Sequence, residues 1–443
     1  MGATPPKLIA RGSVDTLSAL PDGEVDTSVQ RRADLSEHAR KHRGVRVTRE
    51  EPSLATLLPV ADRPISILHI VPYAGAGGLY GGPARGTFKQ AAAATRAGNR
   101  ADVLSLGPET VVESRGSVNY HQFRAHRLPI RPRFAGLYSV RAILWAFMSA
   151  SSYDIIHIHA GRELWVQVVM RGLRLRKLPF VWQTHGMLSP RTSILIRSYD
   201  VLLTKPALRA AARVLSLTAH EDRDIRQVWP GVALERLTNA IEDPVAEAPA
   251  RRWSGVLRVA FISRLHPRKR VLDLTRAVLD LRAEGREVTL AIFGPDEGDL
   301  ENLTLLMGED PDGAISYGGS LDYGDVRRVL SRYDLLALPS ILEPFPNILL
   351  EAMATGIPTL CTDQCGLAAH ISENAAGLVV KPGVQPIRDA LDGVMNDPGC
   401  LAEYGVRGLQ LVKDRFDIPS LWRVLDRTYR ECVGAHVHQT PAK

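Results

Sequence analysis

A chain of 443 residues is too long for one ordinary domain, so two are expected. Its composition, 45% apolar and 23% charged, is that of a soluble globular protein, and four cysteines (Cys361, Cys365, Cys400, Cys432), all in the second half, argue against a disulfide framework and suit a reducing cytoplasm. The net charge of +7 is uneven, +10 over residues 64–250, −4 over 251–443 and +1 over 1–63, which points to an anionic partner for the first half or, as the plainer alternative, to a solvated arginine-rich surface.

Residues 1–63 are polar, proline-dotted and without a sustained period, so a mostly disordered extension is expected there. Its start, "MGATPPKLIARGSVD", lacks the apolar core of a secretory signal, and Pro6 breaks the myristoylation pattern. From residue 65 the chain changes character. "ISILHIV" is a continuous apolar run, the signature of a strand buried on both faces of a parallel sheet. A glycine-rich loop and a helix over about 84–97 follow. Strand-like and helix-like segments then alternate through "ADVLSL", "YDIIHIHA", "FVWQTHG", "ARVLSLTA" and "ERLTNAI". The longest apolar span, 142–153, sits between Arg141 and Asp154 and is too short to cross a bilayer.

"PVAEAPARRWSG", residues 244–255, interrupts the alternation and reads as a linker. The rhythm restarts with "VLRVAFIS", "EVTLAIFGP", "AISYGG", "LLALPS", "PTLCT" and "GLVV", and an amphipathic helix over 418–433 closes the chain. The expectation is an α/β protein with two Rossmann-like domains in tandem, 64–245 and 246–417, and a C-terminal segment 418–443 whose helix packs back on the first domain. Ligands of such sheets bind at the carboxyl ends of the strands, so two facing halves make a cleft.

The chemistry-bearing residues fall at those ends. The loop "PYAGAGGLYGGPARGT" is neither a dinucleotide fingerprint nor a P-loop, but Gly81 and Gly82 allow close backbone approach and Pro83 fits a helix start, where a phosphate or sugar would sit well. Arg264 leaves a strand end and Lys269 follows just before a helix, a fork and a point charge suited to phosphate. In "EPFPNILLE", Glu343 and Glu351 bracket an otherwise uncharged segment, and carboxylates in such surroundings call for compensation. Without the two cations, they read as a loop glutamate and a helix-terminal one.

Together these motifs resemble the GT-B glycosyltransferases of the large retaining family 4, over about residues 65–433, with "THGMLSP" and "YGGPA" similar to a bacterial subgroup that builds surface polysaccharides and glycolipids. The resemblance implies that Arg264 and Lys269 meet the donor diphosphate, Glu351 the nucleotide ribose and Glu343 the hydroxyls of the transferred sugar. It implies that His185 faces the donor sugar, that Gly82 lets the first loop meet the diphosphate or sugar, and that Asn347 and Ile348 open a helix whose amides cap the sugar or phosphate. The sequence departs from the family at Ala240 and Glu242 in "NAIED", at Arg270, where glycine is frequent, and at Ala369, where an acidic residue is common.

The implied activity is retaining transfer of a hexose-type sugar from a UDP- or GDP-sugar to a cell-envelope glycan or lipid-linked acceptor, without metal or other cofactor. A sugar-nucleotide epimerase of the same fold and a non-catalytic nucleotide-sugar-binding module are the competing readings. His157 and His159 share one strand face and read first as strand-end packing and hydrogen bonding, with a two-histidine metal site as the alternative; the D-x-D patterns at Asp222/Asp224 and Asp310/Asp312 fall in a helical pattern and a proline turn. Two basic clusters, Arg124, Arg127, Arg131 and Arg133 near Phe134, Tyr138 and Trp145, and Arg171, Arg174, Arg176 and Lys177, suggest peripheral contact with an anionic membrane from the cytoplasmic side. No nucleic-acid module is recognisable.

Overall fold

Two parallel sheets carry the described residues, which are 63–75, 81–128, 136–250 and 253–439 of a computed structural model. The extension expected over 1–63, apart from Arg63, lies outside them, as do loop residues 76–80 and Arg131, Arg133 and Phe134.

The strands are β1 (Ser66–Val71), β2 (Arg100–Gly107), β3 (Val111–Arg115), β4 (Val118–Arg124), β5 (His126–Arg127), β6 (Leu137–Tyr138), β7 (Ile155–His159), β8 (Phe180–Gln183), β9 (Arg213–Ser216) and β10 (Leu234–Arg236), followed by β11 (Leu257–Ile262), β12 (Val288–Phe293), β13 (Ile315–Tyr317), β14 (Leu335–Leu338), β15 (Thr359–Thr362) and β16 (Leu378–Val380). The first sheet runs β10-β9-β8-β7-β1-β2-β4-β3 and the second β13-β12-β11-β14-β15-β16. β5 and β6 form a separate two-stranded ribbon.

Every expected strand is present, and the central ones are buried because their residues are apolar on both faces: Ile67, Leu68, Ile70 and Val71 in β1, and Val259, Ala260 and Phe261 in β11. All pairings in the two sheets are parallel except β3 with β4. That hairpin was not expected from the sequence. It turns at Gly116, whose φ of +61° suits glycine, between the paired Arg115 and Val118. The first helix spans Gly81–Arg96, three residues earlier than its periodicity implied, because the glycines and Pro83 form its opening turn.

In the first sheet the strand order reverses between β1 and β7, and in the second between β11 and β14. Both reversals open crevices at strand carboxyl ends. The C-terminal helix Ile418–Gln439 lays Leu421, Leu425, Tyr429, Cys432 and Val433 against the first sheet, where they share a core with Ile67, Val103, Ile155 and Val181. Where the chain crosses between sheets, Ile241 N donates to Phe416 O at 2.8 Å. Beneath the helix, Tyr429 Oη and His157 Nδ1 share a hydrogen bond of 2.6 Å, both groups fully buried. Tyr429→Phe should therefore lower stability by about 1–3 kcal/mol, the penalty of leaving one buried polar atom unpaired. A thermal denaturation midpoint equal to wild type would mean that the helix docks through apolar contact alone.

Candidate functional site

The two crevices meet in a cleft of about 450 Å³, with Pro83, His185, Gly186 and Met187 on one side, Arg264, His266, Lys269, Glu343 and Asn347 on the other, and Asn239 from the crossing segment between them.

His185 follows β8. Its φ is +51°, a left-handed conformation that costs a non-glycine residue energy and persists only where the surroundings hold it. Glu221 does much of the holding. Its Oε1 accepts from Gly186 N at 2.5 Å and from Thr184 Oγ1, and its Oε2 accepts from Leu217 N at 2.7 Å. The backbone of Glu221 is in turn capped by Thr218 Oγ1 at 3.2 Å, at the start of the helix Ala219–Val228. Burial raises the Glu221 pKa, and these hydrogen bonds oppose that rise. Burial lowers His185 to about 4, so its imidazole is neutral near pH 7.

On the second sheet, Arg264 leaves β11 with its guanidinium exposed and Nη1 donating to both Glu297 carboxylate oxygens, at 2.8 and 2.7 Å. Lys269 ends the short 3-10 turn Pro267–Lys269. Its Nζ donates to Glu343 Oε2, and both side chains are mostly buried, 13% and 14% exposed. Arg270, where the resemblance leads one to expect glycine, takes the left-handed φ of +56° and binds Asp273 at 2.7 Å. Leu342, just before Glu343, is also left-handed at φ +50°, and its carbonyl accepts from Arg268 Nη2.

The helix Asn347–Ala354 begins at the cleft without a side-chain cap. Asn347 lines the cleft and accepts at Oδ1 from Asn239 Nδ2 at 2.8 Å. Ile348 packs into the second core. Glu351 lies one turn further on, in a small adjoining cavity of about 50 Å³ that also contacts Arg85, Lys89, Asn239 and Asn347. Burial lowers the Lys89 pKa, an effect opposed by the Glu242 and Glu351 carboxylates. Gly82 sits in the first turn of the helix Gly81–Arg96, next to Pro83 at the cleft wall.

The structure thus brings His185, Arg264, Lys269, Glu343 and Asn347 to one cleft, with Gly82 beside it and Glu351 behind Asn347. Asn239, Glu221, Glu297 and His69 were not foreseen. Asn239 alone carried a signal, standing in the expected strand-like segment "ERLTNAI", of which only Leu234–Arg236 is strand, so that Asn239 falls just past its carboxyl end. Asp222 pairs with Arg236 at 2.6 Å and Asp312 with Arg282 at 2.6 Å, so both D-x-D patterns serve local ion pairs. Cys361, Cys365 and Cys432 are buried free thiols and Cys400 a half-buried one.

Residues 80–239 match the family model described as Glycosyltransferase Family 4, and residues 252–408 match that described as Glycosyl transferases group 1. An alpha-D-kanosaminyltransferase of Streptomyces kanamyceticus is 23% identical over 367 residues, 74% of this chain and 94% of that protein. A D-inositol 3-phosphate glycosyltransferase of Saccharomonospora viridis is 29% identical over 327 residues, 66% of this chain and 73% of that protein. A glycogen synthase of Mycobacterium tuberculosis is 26% identical over 216 residues, 47% of this chain and 52% of that protein. Among solved structures, Anabaena HepE in complex with UDP superposes with a TM-score of 0.66 at 17% identity, over 83% of this chain and 100% of that one. Sucrose-phosphate synthase from Thermosynechococcus elongatus gives 0.65 at 16%, over 84% and 100%.

Proposed function

The chain is a glycosyltransferase of the GT-B type, and from that premise we propose that it moves a hexose-type sugar, with retention at the anomeric carbon, from a UDP- or GDP-sugar to a cell-envelope glycan or lipid-linked acceptor. The observation that carries the reading is the Lys269–Glu343 pair at the cleft wall, beside the Arg264 guanidinium and the uncapped start of the helix Asn347–Ala354. A diphosphate there would meet two cations and a helix N-terminus. Glu343, already compensated by Lys269, would accept from sugar hydroxyls. Solved complexes of HepE with UDP and with UDP-glucose favour UDP as the first nucleotide to try.

In the proposed step, the bond from the anomeric carbon to the phosphate oxygen breaks. The acceptor oxygen bonds to that carbon on the same face, and its proton passes to the departing phosphate. Arg264 and Lys269 would stabilise the charge that develops on the diphosphate, the role a metal ion fills elsewhere. Activity is therefore expected to survive EDTA. Loss of transfer in EDTA, with recovery on adding magnesium or manganese, would overturn the metal-free reading.

A lipid-linked acceptor is favoured by the segment after the His185 loop. Ile194, Leu195, Val201 and Leu202 are each more than half exposed, with Arg197 among them. Apolar residues presented beside arginine suit a reversible contact with an anionic membrane, here at its cytoplasmic face. Among the described residues no helix is long and apolar enough to cross a membrane.

The test is a panel of nucleotide sugars read by thermal shift, then by nucleotide release with and without lipid-linked acceptors. A donor at a hundred times its Kd should add about 2.7 kcal/mol of stability. Release that depends on acceptor supports transfer. Conversion of the donor sugar without acceptor would mean an epimerase, and binding without either reaction would mean a non-catalytic module.

A further inference from the structure

Behind His185 a row of histidines runs into the first sheet. His185 Nε2 lies 3.0 Å from His159 Nδ1, and His159 Nε2 lies 3.0 Å from His69 Nδ1. The rings stack at interplanar angles of 24° and 26°. His159, at the end of β7, and His69, inside β1, are fully buried. At the inner end, His69 Nε2 is buried with no hydrogen-bond partner among the described residues. At the outer end, His185 lines the cleft, and its only hydrogen bond among the described residues is the one Nε2 shares with His159.

We propose that this row is a polarised hydrogen-bond chain of three Nδ1–H imidazoles, in which His69 and His159 are positioning residues that hold His185 as a neutral Nδ1–H donor to a sugar or phosphate oxygen in the cleft. The proposal rests on the nucleotide-sugar reading of that cleft.

Each link can run in two directions, and the inner end chooses between them. If the chain ran inward, His69 would bury an N–H with no acceptor. Run outward, it buries only a lone pair. Orphaned buried N–H groups are the rarer and costlier defect. So His69 Nδ1–H donates to His159 Nε2, His159 Nδ1–H donates to His185 Nε2, and the remaining proton of His185 is on Nδ1. Burial lowers His69 to about 3 and His185 to about 4, so the row carries a dipole and no charge near neutral pH. The left-handed backbone of His185, braced by Glu221, fixes where the row ends. A geometric order of this kind is what a directed donor at a reacting centre needs, since it requires no reorganisation when substrate arrives.

The same cluster has a rival occupant. His69, His157 and His159 bring ligand nitrogens within 4.8 Å of one another, close enough for a divalent metal. His159, however, already uses both ring nitrogens, one toward His69 and one toward His185, and a metal would have to break one of these links.

The test is a long-range proton–nitrogen correlation spectrum of the full-length protein, labelled with ¹⁵N-histidine and free of substrate, with metal content measured on the same sample. The expected result is Nδ1–H for His69, His159 and His185, the tautomer that imidazole disfavours in water, with no stoichiometric metal. His159→Phe should return His185 to a tautomer mixture and lower kcat about tenfold with UDP affinity unchanged, the effect of losing one directed hydrogen bond. An Nε2–H signal from any of the three, one bound metal per chain, or a folded His159→Phe variant with wild-type kcat would overturn the proposal. If that variant does not fold, the wild-type spectrum decides alone. Because the spectrum needs no substrate, failure of the transferase reading would be seen separately, in the donor panel.

Discussion

Lys269→Met is expected to lower kcat by about 10²–10³-fold and to weaken UDP or GDP binding. The ammonium has two tasks in the proposed reaction. It neutralises Glu343, and it faces the diphosphate on which charge develops. Loss of one preorganised donor to such charge typically removes about 2.7–4 kcal/mol of transition-state stabilisation. Methionine keeps the length of the side chain but leaves the Glu343 carboxylate, 14% exposed, without its cation. Arg264→Ala should have the smaller effect. Its guanidinium is 59% exposed and its pair with Glu297 is screened by water, so little native structure depends on it. The two losses should not add, since both groups are assigned to one diphosphate. A double variant that binds UDP and GDP as tightly as wild type would remove both residues from the donor site.

Much of the fold was legible because its strands are continuous apolar runs between polar helices, and parallel βαβ order follows from that alternation. The β3–β4 hairpin was not legible for the opposite reason. β3 is the edge strand, with Val112, Glu113 and Ser114 exposed, and the face that β4 buries, Val118, Tyr120 and Gln122, mixes a polar residue with two apolar ones, so no apolar alternation marks either strand. The candidate site was legible where charge stands out against its surroundings, as with Lys269 and Glu343, whose 74-residue separation in sequence ends in a direct ion pair. It was illegible where an ordinary residue is recruited by packing. His69 is one polar residue in an apolar strand, and only the adjacency of β1 and β7 puts it opposite His157 and within reach of His159. Glu221 looks like any glutamate at a helix start until its side chain folds back on Thr184, Gly186 and Leu217. Arg270 shows a third case, a non-glycine residue in the left-handed conformation that glycine adopts most readily, which side-chain chemistry alone does not announce.

The two glutamates of "EPFPNILLE" should separate by what they change. Glu343→Gln keeps shape and removes charge. If Glu343 accepts from donor-sugar hydroxyls and offsets positive charge as the glycosidic bond opens, kcat should fall far more than nucleotide affinity, by an amount like the roughly 2.7–4 kcal/mol seen for single directed contacts. The substitution also frees Lys269 Nζ from its ion pair, which leaves the ammonium available to phosphate and works against any loss of UDP affinity. Glu351→Gln should do the reverse. Its carboxylate lies behind Asn347, beside Arg85 and Lys89, and its assigned partner is the ribose, which does not change between ground state and transition state. An interaction equal in both states appears in binding and leaves kcat in place. UDP and GDP affinities measured beside kcat for the two variants give the comparison. Small and equal effects on both quantities would reduce the pair to structure, Glu343 as the anchor of Lys269 and Glu351 as a charge that balances Arg85 and Lys89 where the helices Gly81–Arg96 and Asn347–Ala354 approach.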